Sequence, residues 1–246
     1  MSLRYSEIKK LKGTFKDYIT EKTCNALSIL LNEPISHKLT MFDNNSKSIN
    51  FHLPSNEIQM CSVRLNGKGD LHIELLYTTK LHNAIKIASK LLGTEVYEID
   101  EMGTSALQEV ANILTGSFFN ALSENTGFRI DLSTPIFKEG VIQKLLLEPT
   151  KDVINITNDV VITEVLLTGT RTGIKIHMLI IQHTEHARKL IHSQIRDIVS
   201  NYADSSYENK LGVENLEINF LLDNMKKKDN DSKMHSNIKS KSKEMK

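Results

Sequence analysis

Apolar residues recur at helical spacing over residues 6–31, 80–93, 102–125 and 184–202, and the stretches between them carry shorter runs with strand-like patterning. The pattern predicts helices over those four segments and strands over 34–42, 48–53, 59–66 and 70–78, then over 128–134, 142–147, 160–168 and 173–182. After the Gly67-Lys68-Gly69 turn, Leu71, Ile73 and Leu75 alternate as in a half-buried strand; after the turn from Gly169 to Gly173, Ile174, Ile176 and Met178 do the same. In the third helix, Leu107, Val110, Ala111, Leu114, Phe118, Ala121 and Leu122 share one side, which must face a core. Hairpin-linked strands bracketed by long helices predict an α+β fold, a mostly antiparallel sheet with the helices packed on it.

The pattern also repeats. Asn25-Ala26-Leu27-Ser28 recurs 95 residues later as Asn120-Ala121-Leu122-Ser123. The strand, glycine turn, strand and helix of Val63 to Ala88 recur in Val165 to Ile191, with Ala84 and Ile87 placed like Ala187 and Leu190. Two duplicated halves, about 5–95 and 100–200, are therefore expected to form one domain over 1–203 with a pseudo-two-fold axis. Beyond it, Val213, Leu216 and Phe220 mark a short amphipathic extension over 204–224, and 225–246 is a lysine-rich tail expected to be disordered.

Charge changes this picture little. The formal net charge is +1, yet eight lysines face only Asp229, Asp231 and Glu244 in the tail, so the rest of the chain is mildly acidic. Neither nucleic acid nor a membrane is expected as a partner. No segment approaches the roughly 18 consecutive apolar residues of a membrane span, and the polar, basic start of the chain lacks a signal-peptide core, so a cytoplasmic location is expected. Cys24 and Cys61 lack metal or redox spacing and are expected to be reduced and buried. His177, His183, His186 and His192 read as ordinary surface or interface residues rather than metal ligands. No phosphate-binding loop, dinucleotide fingerprint or Ser/His/Asp set is visible.

Candidate chemistry lies on the third helix. Ser105, Glu109, Asn112 and Gly116 follow at i, i+4, i+7 and i+11, a narrow arc opposite the apolar side, with Ile113 and Phe119 expected as apolar shoulders. Such a polar line is common on surface helices, but Asn and Gly are both poor mid-helix residues, and Gly116 would let another surface come close.

Ser105-x3-Glu109-x2-Asn112 followed 22 residues later by Pro135, within SALQEVANILTGSFFNALSENTGFRIDLSTP, resembles the Asp/Ser-x3-Glu-x2-Asn-x22-Pro signature of the CheC, CheX and FliY phosphatase family. The overall pattern is most like a CheC-type chemotaxis protein. Ala111 departs from the glycine usual in the family. The resemblance implies a protein phosphatase acting on the phospho-aspartate of a CheY-like response regulator, with magnesium held by that partner and no cofactor of its own. It implies that Asn112 positions the attacking water, that Glu109 docks the receiver's lysine, and that Ser105 and Pro135 support the site. An acyl phosphate is already activated, so placing a water in line is the main task, and a neutral amide suits it. The alternative is a non-catalytic module of the same fold that binds CheY or the deamidase CheD. In the first half, Lys10, Thr14, Asp17, Glu21 and Thr40 stand where Ser105, Glu109, Asn112, Gly116 and Pro135 stand in the second. One active site per molecule is expected.

Overall fold

The computed structural model describes residues 3–43, 58–154 and 159–193. The chain begins with α1 (Tyr5–Tyr18), which continues through a π-helical stretch (Ile19–Thr23) into α2 (Cys24–Leu31), so that one long rod fills the first predicted helix. Leu11, Thr14, Phe15 and Tyr18 are its buried line, and Asn32 ends it in the left-handed conformation at φ 47°. There follow β1 (Ile35–Asp43), β2 (Gln59–Gly69), β3 (Ile73–Lys80) and α3 (Leu81–Leu92), then α4 (Glu101–Thr126), β4 (Ile130–Leu132), β5 (Ile136–Val141), α5 (Ile142–Val153), β6 (Val160–Gly169) and β7 (Lys175–His183). Residues 184–193 form a last described helix, α6. The predicted strand over 48–53, the end of the last helix, the amphipathic extension and the lysine-rich tail lie outside the described residues.

Seven strands make one sheet in the order β1-β6-β7-β3-β2-β4, with β5 also paired to β2, and every pairing is antiparallel. Strands far apart in the chain are interleaved: β1 lies on β6, while β4 and β5 lie on β2. At the centre β3 pairs with β7.

The main core lies between the sheet and the helices α1, α2, α3, α4 and α6, with Phe15, Leu65, Leu75, Phe118, Val165 and Ile180 among its fully or nearly buried members. Phe118 is its aromatic hub, with ring centroids 5.8 Å from Phe15, 6.4 Å from Tyr18 and 5.3 Å from Phe119.

Residues 142–147 are helix, not strand, which corrects the sequence-based expectation. Ile142, Leu145, Pro149 and Val153 follow the helical period and are buried, and the strand that pairs with β2 is the preceding β5. A short apolar run does not distinguish the two states by itself. On the far face of the sheet α5 covers Met60, Leu76, Leu179 and Ile181. Consequently β3 and β7 are buried on both faces rather than half-buried. Glu74, fully buried on β3, is held by Arg64 at 2.9 Å and His72 at 2.8 Å, and Arg64 also pairs with Asp152 of α5.

Candidate active site

The 26 residues of α4 are fixed at both ends and along one side. Asp100 caps the start, its carboxylate accepting the Gly103 N–H at 2.8 Å, and Gly127 at φ 69° closes the end. Between them the predicted apolar side is buried, from Leu107 and Val110 to Ala121 and Leu122, and the Thr115 hydroxyl is bonded to the buried Tyr77 hydroxyl at 3.1 Å. The helix is a rigid platform for the side chains on its outer face.

On the outer side Ser105, Glu109 and Asn112 are exposed and Gly116 and Ile113 are half-buried. Neither Glu109 nor Asn112 makes a side-chain hydrogen bond or ion pair with another described residue. A carboxylate and an amide are thus presented freely, about 4.5 Å apart along the helix axis. A Cβ built on Gly116 would meet nothing within 4 Å, so the surface beside them is open. Met102, three residues before Ser105 on the same line, is 62% exposed and puts a flexible apolar group at the end of the stripe, a feature the sequence reading passed over.

Phe119 is not an exposed shoulder. It is 3% exposed, packed on Phe118, and its ring lies so close to β2 that a Cβ on Gly67 would stand 2.6 Å from it. Glycine at 67 is what lets α4 sit down on this end of the sheet.

Pro135 comes back beside the helix. The pairs Arg64–Ile136 and Gly67–Leu132 enclose two residues on β2 but three, Ser133 to Pro135, on the opposite strand, so β4 and β5 form one edge strand broken by a bulge. A proline suits that place because no ladder donor is needed there. The Ser133 N–H donates to the Asn66 carbonyl at 2.9 Å, and the Asn66 N–H donates to the Ser133 hydroxyl at 2.9 Å. The Gln108 amide Nε2 donates to the Pro135 carbonyl at 3.1 Å. The long gap in the Ser-Glu-Asn-Pro pattern is therefore the length of chain needed to finish α4, turn, and return along the sheet edge to the same helix. Gln108 was missed in the sequence because a glutamine on a helix flank carries no signal of its own.

A family model described as the CheC-like family matches residues 102–139, the stretch from Met102 through the site helix and the bulge. Residues 102–139 are thus similar to the CheC-like family. Over 84 residues it is 29% identical to the CheY-P phosphatase CheC of Bacillus subtilis (strain 168), a match covering 32% of this chain and 40% of that protein, less than half of the relative's length. Among solved structures, FliY of Thermotoga maritima superposes with a TM-score of 0.61 at 18% identity, over 80% of this chain and 99% of that one. The FliM middle domain from H. pylori reaches 0.51 at 9% identity, over 78% of this chain and 99% of that one. These two likenesses show that the mixed helix and antiparallel-sheet architecture is shared.

Cys24 and Cys61 are buried free thiols, and burial pushes Cys24 up to about 11 and, with the Glu139 carboxylate beside it, Cys61 up to about 12, so both are protonated near neutrality. The histidines are a correction: His177 and His183 are buried, not on the surface, and His177 Nδ1 is bonded to the buried Glu164 carboxylate at 2.8 Å. Among the described residues no group of three or more His, Cys, Asp or Glu is placed to hold a metal ion, and no helix is long and apolar enough to cross a membrane.

Proposed function

We propose that this protein hydrolyses the aspartyl phosphate of a CheY-like response regulator, with Asn112 positioning the attacking water and Glu109 docking the receiver. The observation that carries the reading is the pair itself: an amide and a carboxylate, exposed and unengaged, one turn apart on a helix whose every other side is packed or pinned. The match of residues 102–139 to the CheC-like family model and the likeness to the CheY-P phosphatase CheC support it.

An acyl phosphate needs little base assistance, so the chemistry reduces to holding a water opposite the leaving carboxylate. Asn112 offers an acceptor and a donor on a short neutral side chain, and it brings no negative charge towards a phosphoryl group. Glu109, a turn earlier and free of internal partners, is available for a charge-assisted contact with a lysine of the receiver, which fixes the docking register. Magnesium in this scheme belongs to the receiver's own acidic site, where it neutralises phosphoryl charge. Exposed Met102 and half-buried Ile113 supply apolar contact at the margin of the docked face.

The test mixes the full chain with a phosphorylated receiver and magnesium and follows phosphate release. Wild type accelerates decay; Asn112→Ala loses about 100-fold in the rate at saturation, while Glu109→Ala mainly raises the concentration needed for half-saturation. Decay unchanged by wild type, with the receiver still bound, would establish the non-catalytic binding module instead.

A further inference from the structure

We propose that Gln108 is a positioning residue for this reaction, one half of a two-point clamp that fixes the roll of α4 and so the place of Asn112; the inference rests on the phosphatase reading. On the flank of the helix that faces the sheet edge, α4 is held at two places. Phe119 is seated against Gly67 and Ile130, where a Cβ on Gly67 would stand 2.6 Å from the ring and 2.5 Å from the Ile130 side chain. Gln108, three turns earlier, reaches the Pro135 carbonyl at 3.1 Å. Glu109 and Asn112 lie between these points, and Asn112 is one turn beyond Gln108 on the same side.

The buried side seats α4 on the core, and these two contacts on the edge flank add a stop against roll at either end of the stretch that carries Glu109 and Asn112. The far end of the Gln108 bond is itself tied down, because Ser133 links the bulge to Asn66 by two hydrogen bonds of 2.9 Å. The first half provides the contrast. Counting back by the 95-residue offset, Gln108 corresponds to Gly13, which has no side chain, and Pro135 corresponds to Thr40. The tie is thus absent from the helix whose outer face also lacks the Glu and Asn pair. A displacement of about 1 Å in a group that positions a reactant can cost about 100-fold in rate.

The experiment measures receiver dephosphorylation over a range of concentrations for wild type, Gln108→Met, which keeps the length but removes the donor, and Gln108→Lys, which restores one. Gln108→Met is expected to lower the rate at saturation about tenfold, with the half-saturating concentration and thermal midpoint unchanged, and Gln108→Lys to recover most of that loss. A wild-type rate in Gln108→Met, or a loss confined to the half-saturating concentration, or no recovery in Gln108→Lys, overturns the clamp while leaving the phosphatase reading intact. An inactive wild type overturns both.

Discussion

The outer faces of α1 and α4, compared at the 95-residue offset set by their shared Asn-Ala-Leu-Ser segment, are built differently. On α4 the middle position of the stripe is Glu109, exposed and unengaged; on α1 it is Thr14, 5% exposed, with its hydroxyl donating to the Lys10 carbonyl at 3.2 Å. The helix that carries Asn112 runs unbroken for 26 residues, whereas Asp17 sits one residue before the end of α1, where the rod passes into its π-helical turn. The strands beside them differ too: β1 pairs with β6 in unbroken register from Ile35 to Asp43, while β4 and β5 are parted by the Pro135 bulge. The lesson is that the framework does not make the site. A polar pair left without partners and a sheet edge bent to meet its helix distinguish the two faces.

The sharpest way to break the contrast is to give the second face the first face's residue. Asn112→Asp should lower receiver dephosphorylation to about 1% of the wild-type rate or less, because a carboxylate repels the phosphoryl group and lacks the amide donor. Its thermal midpoint should hardly move, since the side chain is exposed. Retained activity would show that Asn112 is not where water is held.

A second measurement asks what the first half uses its carboxylates for. Glu33, just past the end of α2, is fully buried; it accepts the Arg171 N–H at 2.8 Å, the Thr172 N–H at 2.9 Å and the Thr172 hydroxyl at 2.6 Å, and pairs with Lys90 at 3.4 Å. Burial alone would raise this carboxyl, but the Thr172 and Arg171 hydrogen bonds and the Lys90 charge outweigh it and hold it at about 2. The contribution to stability is therefore complete above the ordinary value of 4.5 and is lost as pH falls towards 2. Glu33→Ala should cost about 2–3 kcal/mol at neutral pH by removing charge-assisted hydrogen bonds, as read by urea denaturation, with the loss shrinking in acid. The saturating dephosphorylation rate of the folded variant should stay at the wild-type level. The smallest effect is the most direct check of a single site: Asp17→Ala should match wild type in rate and midpoint, and any drop in rate would reveal a working first face.

Much of this was legible in the sequence, for reasons that particular residues show. The buried side of α4 followed from the spacing of Leu107, Val110, Leu114 and Phe118, and the exposure of Ser105, Glu109 and Asn112 followed from the same geometry. Phe119 was misplaced because helical angle alone put it at the margin of the exposed arc, and only the missing side chain of Gly67, in a different element, creates the space it fills. Residues 142–147 were misread because both faces of the sheet are covered, so strand and covering helix are alike apolar there. His177 and Glu164 were invisible as a pair since each is an unremarkable polar residue until β6 and β7 are brought side by side. The bulge at Pro135 could not be counted before the register of β2 was known.

Gly67 has a consequence for how this protein tolerates variation. Any side chain there must push the Phe119 ring or the Ile130 side chain, and the ring belongs to the helix that presents Asn112. A substitution that keeps the sheet folded can therefore displace the surface that carries Asn112 from a buried position beneath it. Among random variants that still fold with an unchanged thermal midpoint, loss of receiver dephosphorylation should gather at the exposed stripe and also at this one glycine.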